Sequence, residues 1–185
     1  VLNNEFDTIY HEHINFFNTN SMNELAKRAN LDLIDVIKTP IHGTSYVFVF
    51  SKLLKRENHI SNIIKSESKL LNTQTYIDWE ASTIANMTVL KSTIDNLKRE
   101  GYKVIGYGAA AKGNTLLNYI DTPLDLIIDD SPLKQNLYAP GTNSPIKSVD
   151  ALKEFSKETK IVFMPLAWNF FTEISQRIKS VRNEP

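Results

Sequence analysis

The feature that most restricts the fold is an alternation of apolar runs and helical stretches beyond Gly101. Residues 103–107, 124–128 and 160–164 are short apolar runs, the pattern of strands buried on both faces. Residues 112–119, 149–155 and 170–181 carry helix-forming patterns between and after them. Strands alternating with helices pair in parallel through right-handed crossovers. The pattern therefore predicts an α/β chain whose C-terminal part, residues 101–185, is a small Rossmann-like domain with a parallel sheet.

Upstream the pattern changes. Ile84, Met87, Leu90, Ile94 and Leu97 recur at three- and four-residue steps, the stripe of one amphipathic helix that Gly101 is placed to cap. A shorter helix is predicted over 61–71, so residues 53–100 read as linking helices. In residues 1–52, Ser21 with Glu24 three positions on offers a capping box for a helix that stops near Asn30. Residues 33–37 and 46–50 are strand candidates on either side of the Pro40-Ile41-His42-Gly43 break. A helix and a hairpin are too little for a stable core, so this piece is expected to belong to a larger sheet. The chain starts at Val1, with neither an initiator Met nor a signal-peptide layout, and reads as the interior of a longer protein.

Composition narrows the function. The 21 basic and 21 acidic side chains balance, and no Lys/Arg block offers a nucleic-acid footprint. With no cysteine the chain has neither a disulfide framework nor a thiolate zinc site, which fits a cytoplasmic location. No apolar run approaches the ~20 residues of a membrane span.

Four segments carry candidate chemistry. Tyr10-His11-Glu12-His13 offers a general base, a carboxylate to orient it and a phenol donor. A surface loop that happens to hold two of the four histidines is the competing reading, and a metal site would need ligands from elsewhere. Gly106-Tyr107-Gly108-Ala109-Ala110-Ala111, followed by Lys112-Gly113-Asn114, lies between a predicted strand and a predicted helix. That is the context of a phosphate-cradling turn. It also matches a G-x-G-x-x-A dinucleotide fingerprint, with Asp129 and Asp130 about 20 residues on, where a ribose-binding acid would lie. Close strand–helix packing is the competing reading of the glycines. The stretch from Lys134 to Thr142, with its Pro140-Gly141 turn, follows the second strand at the carboxyl end of the sheet, where open α/β sheets bind ligands. His42 sits in the turn Ile41-His42-Gly43-Thr44-Ser45. Base-assisted catalysis, nicotinamide redox chemistry and non-catalytic nucleotide binding all remain open on these residues.

The segments also carry a resemblance. Residues 6–13 (Phe-Asp-Thr-Ile-Tyr-His-Glu-His), Ile41-His42-Gly43, residues 108–119 (Gly-Ala-Ala-Ala-Lys-Gly-Asn-Thr-Leu-Leu-Asn-Tyr), Lys134-Gln135, Pro140-Gly141-Thr142 and residues 166–170 (Leu-Ala-Trp-Asn-Phe) are its landmarks. In this order they resemble the S-adenosyl-L-methionine (SAM)-dependent C-methyltransferases of nucleotide-linked keto-deoxysugars. Thr44 departs from that pattern, standing where the family often has glycine. The resemblance implies that residues 1–52 are the end of a SAM-dependent methyltransferase domain and residues 101–185 a nucleotide-sugar-binding domain. It implies His13 as catalytic base with Tyr10 and Glu12 beside it, and substrate contacts from Lys112, Asn114, Gly108, His42 and Lys134. SAM, and zinc in a Cys-rich N-terminal domain, would be bound upstream. A chain without that part is expected to transfer no methyl group.

Overall fold

The computed structural model describes residues 5–40 and 45–182, which form two compact units, one of residues 13–80 and one of residues 5–12 with 81–182. The turn holding His42 lies outside the described residues.

The first unit begins with helix α1 (Thr19–Arg28), capped by Asn18 rather than Ser21. Asn18 Oδ1 accepts from the Ser21 N–H at 2.8 Å, and Ser21 Oγ accepts from the Asn18 N–H at 3.0 Å. Ser21 is thus the far member of a capping box, and the helix starts earlier than the Ser21–Glu24 pair suggests. Glu67 of α2 (Glu57–Leu70) adds a long-range cap, accepting from the Thr19 N–H at 2.9 Å and from its hydroxyl at 2.6 Å. Strands β1 (Asp32–Thr39) and β2 (Ser45–Ser51) pair antiparallel. Ala26, Leu33 and Ile60 form a small core between them and the two helices. Helix α3 (Thr73–Arg99) contributes its first turns to this unit and the rest to the second.

The second unit is a parallel sheet of β3 (Lys103–Tyr107), β4 (Leu126–Ile128), β5 (Ile146–Lys147) and β6 (Ile161–Pro165), in the order β5-β4-β3-β6. Helix α4 (Ala111–Tyr119) follows β3 and helix α5 (Phe171–Val181) closes the chain. Alternate residues of each strand feed opposite cores. Val104 and Ile127 pack with Leu117, Ile146 and Leu166, whereas Ile105, Leu126 and Ile128 pack with Val149, Leu152 and Ile174. Burial on both faces explains why these strands are continuous apolar runs without polar alternation. Asp125 precedes β4 instead of joining it, because its Oδ2 accepts from the Val104 N–H at 2.9 Å and its Oδ1 pairs with Lys103 at 2.9 Å. Burial opposes ionisation of Asp125, but the Val104 N–H and Lys103 outweigh it and hold the carboxyl below its usual range. Residues 149–154 form a 3₁₀ helix rather than an α-helix.

Neighbouring strands β3 and β6 form the point where strand order reverses. Chain order runs β3, β4, β5 to one side and returns with β6 on the other. In open α/β sheets ligands bind in the crevice outside the carboxyl ends of two such strands. Here that crevice is bordered by Gly108 after β3 and by Leu166 and Ala167 after β6, whose N–H groups both donate to Tyr107 O.

Candidate functional site

The glycine turn is built for close approach. Gly108 has φ +93°, and a Cβ there would lie 2.6 Å from the Ala167 Cβ. Gly113, on the first turn of α4, faces Leu166, with only 2.6 Å between its virtual Cβ and the Leu166 Cβ. These two positions let α4 sit directly over the end of the sheet. Lys91 of α3 anchors the far end of α4, donating to Ile120 O at 2.9 Å and to Asp121 O at 3.0 Å.

At its near end α4 is open. Ala110 is the N-cap and no side chain caps the first turn, so the amides of that turn and the positive end of the helix dipole face outward from the turn. Lys112 lies in this turn, although a cation is disfavoured at a helix N-terminus. Its Nζ is closed to solvent without a hydrogen-bond partner and lies 5.2 Å from the centre of the Trp168 ring. Two residues on, Asn114 Oδ1 is likewise buried and unpartnered. Unpaired buried polar groups are costly unless a ligand or a rearrangement satisfies them.

Beside the helix start lies a recess of about 230 Å³, walled by Ala109, Ala110 and Asn114 on one side and Leu137, Tyr138 and Pro140 on the other. Its lining is mostly apolar, with Lys134 as the one charged residue. The outer wall is held by Asn118 Nδ2, which donates to Pro140 O at 3.0 Å, and by Gln135 Nε2, which donates to Asp129 O at 3.0 Å.

Asp129 and Asp130 are engaged inside the fold. Asp129 is 8% exposed; its Oδ2 accepts from the Ala109 N–H at 2.7 Å and from Lys134 Nζ at 3.3 Å, and its Oδ1 from the Ser131 N–H at 2.9 Å. An acid so occupied fastens the glycine turn and has little capacity left for ribose hydroxyls. Lys134 donates also to Ala109 O at 2.9 Å, which makes it a brace of the same turn. Asp130 accepts from the Tyr107 hydroxyl at 3.0 and 3.2 Å. Burial, and then Asp130, push the Tyr107 phenol up to about 12 from its ordinary 10.0. A raised phenol favours the folded state below the unfolded value and loses that contribution as pH rises through the folded one. Between about pH 10 and 12 the unaltered chain is therefore expected to lose stability that Tyr107→Phe does not, as denaturant unfolding over that range will show.

The upstream cluster is distributed differently. Glu12 and His13 are exposed and Tyr10 is half-buried. The His13 ring meets the edge of Phe16 with centroids 6.1 Å apart. Tyr10 is presented by a tight turn in which the Ile9 N–H donates to Phe6 O at 2.9 Å and the Tyr10 N–H to Thr8 O at 3.1 Å. Phe6 is buried against Tyr119 of α4, with ring centroids 5.0 Å apart. Asp7 of this turn accepts from Trp168 Nε1 at 3.2 Å, a contact between residues 161 positions apart that no sequence pattern announces.

The strand order and the open helix start at its switch point define the second unit as a Rossmann-like α/β domain with a ligand crevice of the kind such sheets carry. The chain belongs to the C-methyltransferase family: the family model described as the C-methyltransferase C-terminal domain matches residues 40–184. It is also 27% identical, over 181 residues, to C-methyltransferase NovU of Streptomyces niveus, an alignment covering 93% of this chain and 42% of that protein. The chain thus spans less than half the length of this curated relative, and the Tyr10–His13 cluster lies upstream of the family match. Among the described residues no helix is long and apolar enough to cross a membrane.

Proposed function

We propose that this chain is the nucleotide-sugar-binding part of a cytoplasmic, SAM-dependent C-methyltransferase acting on a carbon next to a ketone. The observations that carry the reading lie around the first turn of α4: the turn is uncapped, the Lys112 ammonium beside Trp168 is unpartnered, and Ala110 and Asn114 of the same turn line a mostly apolar recess. Anionic phosphoryl oxygens suit the first two, and an uncharged ring suits the third. A nucleotide diphosphate joins those two chemistries in one molecule.

In this reading Lys112 and the helix start hold the diphosphate, Asn114 borders the recess, and Gly108 lets the backbone come close. Lys134 acts chiefly by bracing the turn through Ala109 and Asp129. His42 remains a proposed substrate contact from the resemblance alone. His13 removes the proton from the carbon beside the ketone, while Tyr10 and Glu12 orient the sugar or stabilise the enolate oxygen. Residues 1–52 would belong with the methyltransferase domain, residues 53–100 would link, and residues 101–185 would bind the nucleotide-sugar.

The described residues do not fit the methyl donor. Asp129, at the place of a ribose-binding acid, is occupied, so SAM, which supplies an electrophilic methyl group, belongs elsewhere in the polypeptide. Nor do three His, Asp or Glu side chains converge among the described residues to hold a metal ion, so zinc has no holder there. The same occupied acid speaks against the nicotinamide alternative.

Removing the Lys112 charge tests the diphosphate assignment. Loss of one charge-assisted contact costs about 1.5–3 kcal/mol, so Lys112→Met is expected to weaken dTDP binding roughly 10–100-fold by calorimetry. Equal affinities in the two chains would remove Lys112 from the site.

A further inference from the structure

Trp168 makes two contacts that belong to different parts of the proposed site. Its ring covers the Lys112 Nζ, which is closed to solvent and has no hydrogen-bond partner. Its indole N–H donates to Asp7 Oδ2, while the other carboxylate oxygen of Asp7 is itself buried and unpartnered. Asp7 lies inside the tight turn that presents Tyr10. Trp168 itself is 41% exposed and stands in a short 3₁₀ turn (Trp168–Phe170) beyond β6, so its outer side has room to move.

Resting on the nucleotide-sugar reading, we infer that Trp168 is a positioning residue that couples occupancy of the anion site at Lys112 to the placement of Tyr10. A phosphoryl oxygen reaches the ammonium when the indole above it shifts. That shift carries the N–H away from its present place over Asp7. The turn held by Asp7 then resettles, and its unpartnered oxygen becomes able to find a partner. Binding of the anionic end of the substrate is thereby reported to the segment that meets the sugar. Two unpartnered buried groups flanking one indole are what a contact awaiting its ligand requires, because each is relieved by the same movement.

The test is a titration of the 15N-labelled chain with inorganic pyrophosphate, followed by 1H–15N spectra and, for affinity, by calorimetry. In the unaltered chain the Trp168 indole N–H signal, identified by its loss in Trp168→Phe, should shift together with the Ile9 and Tyr10 amides along one saturation curve. In Asp7→Ala the indole signal should still shift while the Ile9 and Tyr10 responses are lost. Trp168→Phe keeps an aromatic face over Lys112 without the N–H, so it should still bind pyrophosphate and also lose the amide responses. Full Ile9 and Tyr10 responses in either variant would overturn the coupling. So would a stationary indole signal in a chain that binds pyrophosphate. Collapsed spectra from both variants would mark the contact as structural only and overturn the coupling as well. Failure of the unaltered chain to bind pyrophosphate would overturn the anion site together with the coupling, which separates that failure from the others.

Discussion

Replacing His13 by alanine, in a polypeptide that joins this chain to the SAM-binding part, is expected to lower methyl transfer roughly 10²–10⁴-fold. A carbon next to a ketone becomes a nucleophile only after losing a proton, and histidine is the side chain most often used for that transfer. His13 is exposed, and its ring lies edge-on to the Phe16 ring with centroids 6.1 Å apart. The loss should fall on kcat more than on KM, because the proton leaves in the transition state and binding rests on other residues. A second readout isolates the step: in D2O the unaltered protein should exchange the substrate's acidic proton, and His13→Ala should not. Turnover within about threefold of the unaltered protein, against the loss a general base implies, would assign the proton to another group.

Gly108→Val is expected to destabilise the second unit by about 2–5 kcal/mol, combining left-handed backbone strain with overpacking. The residue has φ +93°, and the new Cβ would press on Ala167 Cβ at 2.6 Å. The turn cannot yield, because its neighbours are fastened on both sides: Gly108 N–H donates to Ile128 O at 2.7 Å and Ala109 N–H to Asp129 at 2.7 Å. Denaturant unfolding of Gly108→Val, and of Gly108→Ala with and without Ala167→Gly, separates the two causes. Trimming Ala167 should recover the packing part and leave the φ strain. A loss below about 1 kcal/mol for Gly108→Val would mean that the turn does yield.

The strands of the parallel sheet were the most legible part of the fold, since β3 is buried on both faces and the half-buried β6 packs against both cores, which leaves a plain apolar signature in residues 103–107 and 160–164. The run 124–128 shortened to Leu126–Ile128 because the N–H of Leu124 donates to Ser144 Oγ and the Asp125 carboxylate turns to Val104. Strand β5 is two residues long, too short for any periodic pattern to mark it. The Ser21–Glu24 signal named the right helix but set its N-cap three residues late, since the capping box is Asn18 with Ser21. At the candidate site, local motifs were readable: the glycine turn, Lys112 and Asn114 lie within a few positions of each other. The role of Asp129 was not, because its partners at Ala109 and Ser131 come from separate turns. Nor was the Asp7–Trp168 contact, which only folding brings together.

A nucleotide diphosphate, and not a dinucleotide, is expected to bind at the start of α4. Calorimetric titration of the 185-residue chain with dTDP, and separately with NADH, tests this most directly. Saturable binding of dTDP with no heat from NADH is the predicted result. Binding of NADH without dTDP would contradict it, and would return Asp129 to the role of a ribose partner.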